Sequence, residues 1–171
     1  VRVRVPSQPG QPTEVVLVAS ILDSEGILAV EERMRQAIRR RFQEILPQLK
    51  QALEGDAASD PGFKRLFPKA YVQDPEHEAE YQALVGDELV TTRVGHVDTV
   101  LATIRQDRLT EEELFAWMGA VNDLRLVLGT RLDVSEETDL AVDPADPDAA
   151  AYGLYAYLGW LLELLVEAVS A

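Results

Sequence analysis

Apolar side chains recur every three or four positions from residue 27 onward. Ile27, Val30, Met34, Ile38, Phe42, Ile45, Leu49 and Leu53 draw one stripe along about seven turns, the pattern of a helix with one buried face. Pro47 lies inside this stripe. It removes a backbone donor and crowds the preceding turn, so a kink or a split into two helices is expected there. Gly55 marks the stop. Upstream, Val1-Arg2-Val3-Arg4-Val5 alternates like a strand until Pro6, Pro9, Gly10 and Pro12 interrupt it. Thr13 then reads as the cap of a helix through Val15–Leu22, ending at Asp23-Ser24-Glu25-Gly26. An extended arm over residues 1–12 and a helical domain over 13–171 follow from this change of period.

Residues 55–75 form a connection whose Phe63, Leu66 and Phe67 predict a short helical turn packed on the core. Asp74-Pro75 reads as a cap and first helical position, opening a helix to about Val85. Gly86-Asp87 separates it from a helix carrying Leu89, Val97, Val100, Leu101 and Ile104. Thr110-Glu111-Glu112-Glu113 has the form of a capping box, with its helix running through Leu128 to a stop at Gly129. An acidic loop leads to Asp146-Pro147 and the last helix. The fold class predicted is all-α: a single-domain bundle of about six helices joined mostly by short turns.

Two of these helices break simple patterning. From Tyr152 to Val169 the last helix is apolar almost all round, with Glu163, Glu167 and Ala156 confined to a strip about 40° wide on a 100° wheel. Such a helix is either buried or spans a membrane. Two carboxylates are costly in lipid, so the reading is a buried central helix, with a homodimer contact as the second choice and no membrane span. In the helix after Thr110, Arg125 falls between Leu114 and Met118 in the middle of the apolar face, with Asn122 at its edge. A guanidinium buried there needs a partner. Glu163 is the first choice and Glu167 the second, while Arg93 raises the same question one helix earlier.

Composition removes several chemistries. The 171 residues include no cysteine, which rules out thiolate catalysis, thiolate metal sites and disulfide switching within this chain. His77 and His96 lack the Glu-x-x-His and His-Glu-x-x-His spacings of metal bundles. No Gly-x-Ser-x-Gly elbow surrounds any serine. The acidic stretch from Asp133 to Asp148 lacks the spacing of a calcium loop. No cofactor and no metal are expected.

The net charge of −14 is unevenly spread: residues 1–50 carry eight basic and six acidic side chains, residues 51–171 eight and 24. Arg33, Arg35, Arg39, Arg40 and Arg41 on the outer face of the long helix are the main basic density. They either pair with Glu31 and Glu44 along the same helix or meet an acidic protein partner, with direct nucleic-acid contact the weaker alternative. The N-terminal segment lacks the apolar run of a secretory signal, so a cytoplasmic location is expected.

Five stretches carry a resemblance: Arg65-Leu66-Phe67-Pro68-Lys69-Ala70-Tyr71, Asp74-Pro75-Glu76, Asp98-Thr99-Val100-Leu101-Ala102-Thr103, Asn122-Asp123-Leu124-Arg125-Leu126-Val127-Leu128-Gly129-Thr130-Arg131-Leu132 and Tyr157-Leu158-Gly159-Trp160-Leu161. Over residues 60–170 the chain resembles an actinobacterial family of unknown function that includes an oxidative-stress transcriptional regulator of the AosR type. The resemblance implies a cytosolic, non-enzymatic helical protein acting on transcription through protein partners. Thiol switching does not carry over to a chain without cysteine. The competing expectation is a small-ligand binder or enzyme with a pocket near Arg93 and Arg125.

Overall fold

A computed structural model describes residues 3–4, 14–16, 25–55, 60–106, 108–135, 138 and 146–170, with side chains from Gln36 onward. Helices carry the fold. In chain order the elements are strand β1 (Val3–Arg4), strand β2 (Glu14–Val16), helix α1 (Glu25–Glu54), a 3₁₀ turn (Pro61–Phe63), helix α2 (Pro75–Thr103), strand β3 (Arg108–Thr110), helix α3 (Glu111–Arg131) and helix α4 (Ala149–Val169). The described residues thus hold four α-helices where about six were expected, and each merger has a local reason.

Helix α1 runs through Pro47 without a break, burying Phe42, Leu46, Leu49 and Leu53. The proline ring lies on the exposed side, where its missing donor disturbs no packing. Helix α2 passes straight through Gly86, which has almost nothing near it. A lone helical glycine costs only about 1 kcal/mol, less than the turns on either side supply together. The expected helix over Thr13–Leu22 is overturned at its start. Glu14–Val16 is instead the middle strand of a small antiparallel sheet, with Val15 opposite both Arg4 and Leu109. The β-branched Val15-Val16 pair suits an extended chain, and β3 offers it a ladder to join. Residues 17–22 lie outside the described residues.

The caps read from the sequence are present at two of three helices. Asp74 accepts from the His77 backbone N–H at 3.2 Å, with Pro75 in the first turn. Thr110 and Glu113 form the reciprocal capping box, at 3.2 and 2.7 Å. At α4 the start shifts two residues: Asp146 accepts from the Asp148 N–H in a turn, and the helix begins at Ala149.

Helix α3 ends beyond Gly129, in a Schellman turn. The Val134 N–H donates to the Gly129 carbonyl at 2.8 Å and the Asp133 N–H to the Thr130 carbonyl at 3.3 Å. Asp133 takes the left-handed conformation, φ 52°, in place of the usual glycine.

Successive helices neighbour one another: α1 on α2, α2 on α3, α3 on α4. The centre is therefore α3, not the last helix. Eight residues of α3 are buried, from Leu114 and Ala116 to Val127 and Gly129, against three of α4 (Tyr155, Leu158 and Leu165). The expectation of a buried central C-terminal helix fails because hydrophobicity sets how much surface a helix could bury, not how much the fold covers. Helix α4 has the length and composition to cross a membrane, yet only 22% of that stretch is buried. The turn after Asp60 seals one end of the core with Phe63 and Leu66, the packed connection anticipated above.

Candidate functional site

Two cations sit at the contacts of α3, Arg93 reaching it from α2 and Arg125 projecting from it toward α4. On the α2 side, Arg93 donates through Nη1 to Asp123 Oδ1 and through Nη2 to the Leu66 carbonyl at 2.9 Å, while its guanidinium lies 5.7 Å from the centre of the Phe67 ring. This joins α2, α3 and the 60–70 connection at one point. Asp123 is only 2% exposed. Burial pushes its carboxyl above the ordinary range, and the Arg93 hydrogen bond, the Arg93 charge and His96 pull it back only partly. Asp123 Oδ2, Arg93 Nε and His96 Nδ1 are all buried without a hydrogen-bond partner. The imidazole of His96 occupies the space over Gly119, where any Cβ would come within 2.2 Å of Nδ1.

On the α4 side, the Arg125 guanidinium sits 4.7 Å from the centre of the Tyr155 ring, a cation–π contact. Gly159 leaves room for it: a Cβ there would stand 3.4 Å from Arg125 Nε. Gly129 in turn admits the edge of Tyr155. The chain just beyond α3 is tied down by Arg65, which donates to the Val134 carbonyl at 3.0 Å, and by the Tyr152 hydroxyl, which donates to the Leu132 carbonyl at 3.3 Å.

The expected Arg125–Glu163 ion pair is therefore corrected. Glu163 is exposed, and so is Glu167. The rotation of α4 that turns Tyr155 and Gly159 toward Arg125 sends both carboxylates outward. Arg93 does carry the buried ion pair expected of such a residue, with Asp123, a partner the sequence reading missed. The signal was available: at 100° per residue Asp123 falls among Ala116, Ala120 and Val127. That run of small residues marks a second contact face on α3. Asn122 is half-buried at the edge of the Arg125 face, not of this one.

On α1, the side chains of Arg33 and Arg35 lie outside the described residues, as does the expected Glu31–Arg35 pair. Arg39 is half-buried, while Arg40 and Arg41 are exposed. Glu44 pairs with Arg41 at 3.4 Å instead of with Arg40, since either spacing brings two side chains to one helix face. The firmer link from α1 is Lys50, whose ammonium lies 2.6 Å from Asp98 on α2. That hydrogen bond raises the Lys50 pKa above its ordinary value. His77 is a surface residue bound to Asp74 Oδ2 at 2.6 Å. Met118 is half-buried and packs against the core. Among the described residues no three His, Asp or Glu side chains gather as a metal site.

Both cations are thus engaged in packing: Arg93 with a carboxylate, a carbonyl and a ring, Arg125 with a ring. This does not support a pocket near Arg93 and Arg125. What the geometry defines is a helical protein whose polar groups lock a central helix to its neighbours. The chain belongs to the family described as Domain of unknown function (DUF2017), whose model matches residues 9–169.

Among curated relatives, it is similar to the putative oxidative stress regulator AosR of Mycobacterium leprae (strain TN). The two are 30% identical over 129 residues, covering 66% of this chain and 59% of the relative. It is also similar to the oxidative stress regulator AosR of Mycobacterium tuberculosis (strain ATCC 25618 / H37Rv), at 29% over 124 residues, covering 63% and 57%. The chain spans about three-fifths of the length of the curated relatives it matches. No solved structure matches it.

Proposed function

We propose that this protein is a non-enzymatic regulator of the oxidative-stress type that works in the cytoplasm through contacts with protein partners of the transcription machinery. The observation that carries the reading is the similarity to relatives named oxidative stress regulators, covering 66% of this chain, within one family whose model matches residues 9–169. Two physical features support it. Arg93, Asp123 and Arg125 are engaged between helices, and the exposed surface is rich in charge and apolar side chains that other proteins read well. The basic residues of α1, with Arg40 and Arg41 exposed, are what an acidic partner would read. Without cysteine among these 171 residues, the oxidant signal reaches this domain from a partner or through a change in the protein's amount, not through a disulfide within it.

The test is genetic. Deleting the gene should change the transcript profile after peroxide exposure, and restoring the wild-type chain should reverse the change. A profile indistinguishable from the parent strain, with and without peroxide, would remove the regulator reading. Direct DNA contact is a separate outcome: it would appear as a mobility shift that weakens steeply with salt and disappears when Arg39, Arg40 and Arg41 are replaced by Ala.

A further inference from the structure

Helix α4 is the most apolar helix of the chain, yet it rests on α3 by one face and leaves much of its circumference in water. Trp160 is 54% exposed and Val166 44%. Gly153, Tyr157, Trp160 and Leu164 follow one another at spacings of four, three and four, which confines them to about 60° of the wheel. They form a continuous seam on the side away from Leu158 and Leu165. The Tyr157 and Trp160 rings touch along it, with centroids 5.6 Å apart. Tyr157 is half-buried, and burial raises its hydroxyl pKa to about 12.

The antiparallel pairing of α3 and α4 sets Arg125 beside Gly159 and Gly129 beside Tyr155. Continued along the two helices, it brings Phe115 level with the last turn of α4. Phe115 is itself 47% exposed, another apolar side chain on the surface of the α3–α4 pair. Isolated exposed apolar residues are ordinary, but a contiguous set along one helix marks an interaction surface.

Charge decides what fits it. The seam is bordered by the exposed carboxylate of Glu163, and α4 contains Glu163 and Glu167 with no basic residue at all. A second copy docked seam to seam would bring these acids toward their own counterparts, within a protein already carrying −14. An anionic bilayer would be repelled in the same way. A cationic border would be attracted.

We propose that the outer face of α4 is the docking site for an amphipathic helix of another protein, one whose apolar stripe is flanked by Lys or Arg. The inference rests on the protein-contact reading above and names a surface and a partner chemistry for it. Helix-in-groove recognition of this kind uses apolar anchors spaced at three and four residues. At 1.5 Å per residue α4 offers about 31 Å of length, enough for several such turns.

The test uses the full chain and a synthetic helical peptide with a leucine stripe bordered by lysines, compared with the same peptide bordered by glutamates. The lysine peptide should bind at least about tenfold more tightly and shift the Trp160 emission to the blue. Trp160→Ser should weaken it about tenfold. Glu163→Lys should narrow the preference between the two peptides and flatten its salt dependence. Because both positions are exposed, the variants should keep the wild-type circular dichroism and melting midpoint.

Equal binding of the two peptides, or an affinity unmoved by Trp160→Ser, would overturn the proposal. So would a homodimer in sedimentation that Trp160→Ser abolishes, which would give the face to a second copy. Binding to phosphatidylglycerol vesicles lost in the same variant would give it to lipid. None of these results touches the transcript profile of the deletion strain, so failure here leaves the regulator reading to stand or fall by its own experiment.

Discussion

Asp123 and Arg93 show how one ion pair can matter more than its modest Coulomb gain. Removing one partner strands the other in the core, an effect of about 3–5 kcal/mol for a buried pair. Asp123→Ala should therefore lower the unfolding free energy by about that amount in urea titrations. The double change Arg93→Met with Asp123→Leu should recover a large part of it. A double variant no better than the single would mean that the pair is not the seat of the loss.

Asp74 is the opposite case, an exposed carboxyl. Its pKa is held below the ordinary 3.8 chiefly by the His77 side chain and then by the His77 backbone N–H. A carboxyl depressed in the folded state contributes stability above its unfolded pKa and loses it as pH falls through the folded one. The first turn of α2 should loosen in acid below about pH 3.8. Asp74→Ala should erase that pH step, as followed by amide resonances of residues 75–79.

Asp123 was overlooked as a buried partner because Asn-Asp-Leu-Arg places two candidate polar residues and a cation within one turn, and only its place among Ala116, Ala120 and Val127 on the wheel singles it out. Helical periodicity assigned Arg125 to the core correctly in part. It could not tell a carboxylate partner from an aromatic ring.

At the level of elements, the termini were the most readable features. The Thr110 capping box and the Asp74-Pro75 start depend on chemistry within four residues, so sequence suffices for them. Interior breaks were less readable, because Gly86 and Pro47 signal a cost that neighbouring turns and tertiary packing can outweigh. Glycines at helix contacts separate clearly. Gly119→Ala should destabilise by about 1–3 kcal/mol, since the new methyl meets His96 and α2 must shift. Gly95→Ala, which meets nothing within 4 Å, should stabilise by about 0.5–1 kcal/mol through helix propensity alone. Opposite signs in thermal melts would verify the packing of α2 on α3, and a stable Gly119→Ala variant would refute it. Asp133 offers a further gain. Its left-handed backbone suits glycine better, so Asp133→Gly should add up to about 1 kcal/mol.

For the whole molecule, the order of packing has consequences that no single helix reveals. Helix α3 contacts both α2 and α4, whereas α4 has one broad contact. Amide exchange should be slowest in α3, around Ala120–Val127, and faster along α4. Equal protection of the two helices would contradict α3 as the centre. The all-helical character was visible in the sequence from the long stripe of α1 and the capped starts of α2 and α3. Of the sheet only β1 showed, in the alternation of Val1–Val5; β2 and β3, at three residues each, give alternation no room to show itself. The position of α4 was hidden for a different reason: its surplus of apolar surface concerns what lies outside the chain as much as what lies within it.

The contact between Arg125 and Tyr155 sets this hairpin apart from the rest of the molecule. The guanidinium's partner here is a ring face, not an acid, so protonating the chain's 30 carboxylates removes neither side of that clasp. The last two helices should stay joined as a pair after the ionic ties elsewhere have let go.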